Sequence, residues 1–92
     1  MSTQALLLRY IQSSEKVFAE VELRHDIGVQ NRGKVTEVIE YAKRYLSDAK
    51  FYGEKQQYET GLVSVAYCEG MLDTLRLLGL VEFTWPNTEE KP

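Results

Sequence analysis

The sequence predicts an all-α fold: an antiparallel three-helix bundle in which helices two and three form a hairpin, followed by an extended C-terminal tail. Three observations carry this. Apolar residues recur at three- and four-residue steps through three long stretches. Polar breaks containing glycine separate those stretches. Strand-like alternation is confined to a few residues near the C-terminus. A chain of 92 residues also suffices for one core and not for two, so residues 1–86 are expected to form a single helical domain.

The first helix is expected at about 3–23, where Leu7, Ile11, Phe18 and Val21 form the stripe and Arg9, Glu15, Lys16, Glu20 and Glu22 take the wetter faces. From His25 to Lys34 the pattern is lost among Asp26, Gly28, Asn31 and Gly33, which reads as a loop. It returns in Val35, Val38, Ile39, Ala42, Tyr45, Leu46 and Ala49, giving a second helix over about 35–54. A third follows at about 58–78 through Leu62, Val65, Ala66, Cys68, Leu72, Leu75 and Leu78. Its end is the best-marked boundary: Gly79 stands where a left-handed residue is wanted, and Leu80 can fold back on Leu75. Ala66 and Gly70, one turn apart, would let a neighbouring helix come close. Beyond them Val81, Phe83 and Trp85 alternate with Glu82 and Thr84. A lone strand cannot bury itself, so this strip must lie on the helices or pair with another chain. Residues 87–92 read as a disordered polar tail.

Composition narrows the function classes. Eleven Lys and Arg against fourteen Asp and Glu give a net charge of −3. With a pI near 5.1, binding of nucleic acid through bulk phosphate electrostatics is disfavoured. Lys43, Arg44, Lys50 and Lys55 could form a small basic stripe, yet the mixed charge around them reads as a solvated face. The Ala5–Leu8 run, ended by Arg9, is too short for a signal peptide or a membrane span, so a cytoplasmic location and no membrane partner are expected. One cysteine excludes a disulfide framework within the chain.

Chemistry is concentrated on two helices. Tyr41, Tyr45, Asp48 and Tyr52 share one face of helix two, and Glu69 and Asp73 lie one turn apart on helix three beyond Tyr67. If those faces meet, Tyr45, Asp48, Tyr67, Glu69 and Asp73 line a seam that could bind a cation through hard oxygens or supply a general base. The plainer reading is a network in which tyrosine hydroxyls find carboxylate partners and Asp73 pairs with Arg76. No Glu-x-x-His pair is displayed, so neither a metal nor another cofactor is expected. The lone His25 reads as solvated and Cys68 as an inert core residue. The Gly28 to Val35 segment begins like a phosphate loop, but Val35 stands where Ser or Thr must meet magnesium.

Two stretches carry a resemblance: Tyr45-Leu-Ser-Asp48-Ala49-Lys-Phe51-Tyr52, and Tyr67-Cys-Glu-Gly70-Met-Leu72-Asp73 running to Leu78-Gly79-Leu80. From Val38 to Leu80 the chain resembles the archaeal family known as domain of unknown function 357. The family's turn tends to have Gly-Asp where this chain has Gln56-Gln57, and alanine where Gly61 and Cys68 stand. The resemblance implies a helical fold, an archaeal cytoplasmic setting and occasional fusion to nucleotidyltransferase-like domains, and no established reaction. More loosely, Ala42 to Leu78 is similar to the helical nucleotide-binding domains that accompany nucleotidyltransferases, though the Arg-x4–6-His motif some of them carry is absent.

Two functions compete. One is a non-enzymatic interaction or accessory module that forms homo-oligomers through Val81, Phe83 and Trp85, or that binds a protein partner. The other is a domain binding a nucleotide, another small molecule or a divalent metal at the Tyr/Asp seam.

Overall fold

The computed structural model describes residues 1–86; the tail at 87–92 lies outside the described residues. Helices α1 (Thr3–Glu20), α2 (Val29–Glu54) and α3 (Tyr58–Leu77) form an antiparallel three-helix bundle. Two very short strands, β1 (Glu22–Leu23) and β2 (Val81–Glu82), pair antiparallel where α1 and α3 end.

Helix α1 begins at Ser2, whose hydroxyl accepts the Ala5 N–H at 3.1 Å, satisfying one of the donors that a helix start leaves open. It stops at Glu20, three residues short of the sequence expectation. Val21 turns extended while its N–H still bonds the Val17 carbonyl at 2.8 Å. The reason lies at the other end of the chain: Glu22 and Leu23 align with Glu82 and Val81. The strand expected after Gly79 finds its partner within its own chain, and the Arg24 N–H extends the ribbon to the Leu80 carbonyl at 3.0 Å.

Helix α2 starts at Val29, six residues before the expected 35. Every residue from Val29 to Lys34 is exposed, so these first turns touch no core that would impose an apolar period. The expected ten-residue loop thereby shrinks to a short connection.

Both later helices end in the same motif. At the α3 terminus Gly79 takes φ +75°, its N–H bonds the Arg76 carbonyl, and the Leu80 N–H bonds the Leu75 carbonyl, each at 3.0 Å. This is the Schellman arrangement that the sequence marks. The α2–α3 turn repeats it without glycine. Gln56 sits at φ +61°, with Gln56 N–H to Gly53 O at 3.1 Å and Gln57 N–H to Tyr52 O at 2.8 Å.

The main core joins Leu7, Ile11 and Val17 of α1 to Ala42, Leu46 and Ala49 of α2 and to Val65, Cys68 and Leu72 of α3, with Trp85 added from beyond β2. A smaller cluster of Val35, Ile39, Leu75 and Val81 lies under the ribbon. At Gly61 a Cβ would stand 2.7 Å from Leu7 Cδ2 and 3.3 Å from the Ala49 carbonyl. Leu7 occupies the space that the family's alanine would need at this position.

Helices α2 and α3 pack closely along their length, and α1 leans on α3 more than on α2. The Cα framework is only 18 Å deep in its thinnest direction, less than two full helix diameters of about 10–12 Å. The molecule is therefore a hairpin covered by α1 on one side. Ala66 and Gly70 are exposed, and a Cβ on Gly70 would meet nothing within 4 Å. No helix of this chain, among the described residues, uses the close approach they permit.

Candidate functional site

The polar residues expected to share a seam divide between two flanks of α3. Tyr45 and Tyr67 do meet: their rings stack with centroids 5.2 Å apart and planes inclined by 16°, a geometry favoured by the ring quadrupoles. Asp48, a turn further along α2, is exposed.

Asp73 lies elsewhere. Its Oδ1 accepts the Trp85 indole N–H at 3.0 Å, Arg76 Nε–H at 3.0 Å and an Arg76 Nη2 proton at 2.8 Å. Tyr67 and Asp73 are six residues apart, about 240° around a helix of 3.6 residues per turn. Val65, Cys68 and Leu72, all buried, lie between their two flanks. Glu69 falls on the Asp73 side by the same count and is half-buried. The five residues thus make an aromatic stack with a solvated carboxylate on one flank and a structural carboxylate on the other. Among the described residues no three His, Cys, Asp or Glu side chains are placed to hold a metal ion.

The remaining sequence candidates fall into place singly. His25 is exposed. Beside it Arg24 reaches Asp26 at 3.4 Å and Glu82 at 3.1 Å, clasping the connection to β2. The hydrogen bond from Arg24 holds the Asp26 carboxyl below the usual range. Cys68 is wholly buried, and burial pushes its thiol up to about 11 against a smaller downward pull from Ser14. It is therefore a protonated core group at neutral pH and a poor nucleophile. The segment with the partial phosphate-loop pattern is the opening of α2.

The C-terminal strip is turned inward. Val81 and Trp85 are 2% and 8% exposed, and Phe83, half-buried, meets Trp85 edge-on at 5.1 Å. The surface that these three residues cover within the chain is its own core. Pairing with β1 and the Trp85–Asp73 hydrogen bond account for this.

What the sequence reading missed lies on the uncovered side of the hairpin. An open groove of about 950 Å³ runs between α2 and α3, lined by Val35 and Val38 on one wall and by Val63, Tyr67, Met71 and Leu78 on the other. Val63, Tyr67 and Leu78 remain 59%, 58% and 66% exposed. The polar side chains in its lining are Asn31, Lys34, Tyr67 and Thr74. A signal for it exists: α3 is apolar over two faces, one through Val65, Cys68 and Leu72, the other through Val63, Ala66, Tyr67 and Met71. A helix with two apolar faces is one that expects burial on both.

The family described as Protein of unknown function (DUF357) matches residues 9–81. The chain belongs to this family. The match is wider than the Val38–Leu80 resemblance. It takes in most of α1, all of β1, Val81 of β2 and the whole groove, while Phe83 and Trp85 lie beyond it. No curated protein and no solved structure matches the chain. Among the described residues no helix is long and apolar enough to cross a membrane.

Proposed function

We propose that this member of the family is a non-enzymatic helical interaction module whose docking surface is the open α2–α3 face. The observation that carries the reading is the groove, along whose α3 wall Val63, Tyr67 and Leu78 stand more than half exposed. Contiguous exposed apolar surface of this kind marks binding sites on soluble proteins, and a groove between two helices fits the apolar stripe of a third. Its lining offers shape and carbon surface, with Lys34 at one end to orient a partner. A cytoplasmic setting fits a chain whose one thiol is kept protonated in the core.

The test is a titration of the ¹⁵N-labelled protein with a 20-residue amphipathic leucine-rich helical peptide. Amide shifts are expected along Val35–Val38 and Val63–Leu78. Shifts confined to α1, or none up to millimolar peptide, overturn the reading. A thermal-shift panel of nucleotides, nucleotide sugars and divalent cations tests the competing function. A ligand at 100 times its Kd adds about 2.7 kcal/mol, so a rise in Tm that is lost in Asp48→Asn transfers the function to the polar residues. The expected panel is flat.

A further inference from the structure

We infer that the occupant of the groove is a second copy of this chain, packed with its α3 antiparallel to the first across a two-fold axis near residue 68. The inference rests on the docking-surface reading and names its partner.

Three features of the exposed face support it. The first is its symmetry along the helix. Glu59, Val63, Ala66, Gly70, Thr74 and Leu77 follow helical spacing along one edge of α3. Reversing the direction of this row about residue 68 sets Ala66 against Gly70 and Glu59 against Leu77, and brings Val63 within one residue of Thr74. The two smallest side chains thus coincide at the axis, where two helices come nearest. Close approach there is sterically free, because nothing lies within 4 Å of a Cβ built on Gly70.

The second feature is charge. Lys34 lines the groove beside Leu75 and Leu78, at the C-terminal end of α3, while Glu59 lies in the first turn of α3. Within one chain these charges sit at opposite ends of a helix about 30 Å long. In the antiparallel pair each Lys34 meets the Glu59 of the other copy. Glu37 stands three residues from Lys34 on α2, and Lys55, the cap residue of α2, stands four residues before Glu59, so the exchange between copies competes with these local charges. Self-complementarity is what an isologous interface requires.

The third is area. Two helices side by side, each about 10 Å across and 30 Å long, present about 600 Å² per copy, or about 1,200 Å² for the pair. That is the lower bound of the range for specific complexes, where transient association is found.

Sedimentation equilibrium of the full chain from 1 µM to 1 mM is the first measurement, followed by the same run on Gly70→Arg. Open space at Gly70 lets this variant fold, which circular dichroism checks. The wild type is expected to dimerise in the micromolar range and Gly70→Arg to remain monomeric. Lys34→Glu and Glu59→Lys should each weaken the dimer about tenfold, and the double swap should restore it. Rescue can arise only between copies, since the two charges are too far apart within one.

A wild type that stays monomeric at 1 mM overturns the inference, as does a dimer indifferent to Gly70→Arg or a double swap without rescue. The docking-surface reading is judged separately by enhancement of anilinonaphthalene sulfonate fluorescence. A monomer whose dye binding is lost in Gly70→Arg defeats self-association and leaves the docking surface standing. A monomer that binds no dye defeats both.

Discussion

The indole N–H of Trp85 donates to Oδ1 of Asp73 at 3.0 Å, fastening the segment beyond β2 to the C-terminal half of α3. Arg76 donates twice to the same oxygen, so one carboxylate oxygen accepts three N–H groups from two side chains. Trp85 is the chain's single tryptophan, and its emission therefore reports directly on this junction.

Removing the acceptor exposes its worth. Asp73→Ala is expected to cost about 1–3 kcal/mol, because a largely buried N–H loses a charged partner. In a domain of this size that lowers Tm by several degrees, and the tryptophan emission should move to the red. Asp73→Asn retains an oxygen at the same place and should lose less than half as much. Unchanged emission and Tm in Asp73→Ala would sink this account.

A double-mutant cycle separates the two flanks of α3. Tyr45→Ala and Tyr67→Ala, which remove stacked rings, should show a coupling of about 0.5–1.5 kcal/mol. Asp48→Asn and Asp73→Asn, on opposite flanks, should add within about 0.5 kcal/mol. Asp48→Asn alone should leave stability within about 0.5 kcal/mol, as for an exposed surface change. Strong coupling between the two aspartates would instead mean that they share a site after all.

The parts of the fold legible in the sequence are those where a core imposes a period. Leu7, Ile11, Ala42, Leu46, Val65, Cys68 and Leu72 are spaced as they are because each faces the same interior. The cap at Gly79 was legible because a left-handed residue leaves a chemical mark. Val29 to Lys34 were not, since exposed helical turns carry no period. The pairing of Glu22–Leu23 with Val81–Glu82 joins positions some sixty residues apart, which local patterning does not encode. The placement of the polar residues was less legible, for a different reason. Tyr67 and Asp73 are neighbours in the sequence, but the 3.6-residue turn carries them to different flanks, and the buried row between them was already visible in Cys68 and Leu72. Applying the same count to Val63, Ala66, Tyr67 and Gly70 reveals the open face that the polar residues obscured.

Cys68 predicts a dependence of stability on alkaline pH. Unfolded, the thiol titrates near 9.0; folded, it is held protonated to about 11. Between those values the folded state binds more protons than the unfolded one, so stability falls as pH rises. The contribution is intact below pH 9 and amounts to a loss of order 2 kcal/mol by pH 11. The measurement is the difference between wild type and Cys68→Ala in urea unfolding from pH 8 to 11, which isolates the thiol. The wild type should lose stability more steeply. Equal slopes would show that the thiol ionises as readily inside the core as outside it.

Gln56 predicts a gain. Its φ of +61° puts a side chain where the preceding and following hydrogen bonds, Gln56 to Gly53 and Gln57 to Tyr52, demand a left-handed residue. An L-residue with a Cβ is disfavoured there by about 1–2 kcal/mol, and glycine is the usual occupant of this helix end. Replacement by glycine also makes the unfolded chain more flexible, which offsets the relief by about 0.4–1 kcal/mol. The net expectation for Gln56→Gly is a stabilisation of about 0.5–1 kcal/mol, read as a higher urea midpoint with an unchanged m-value. Gln56→Ala is the control, since it removes the polar side chain but keeps the Cβ that the backbone disfavours. It should leave the midpoint nearly where it was. If Gln56→Gly is no more stable than Gln56→Ala, the turn is not strained at this residue, and the side chain of Gln56 must be stabilising the hairpin in some other way.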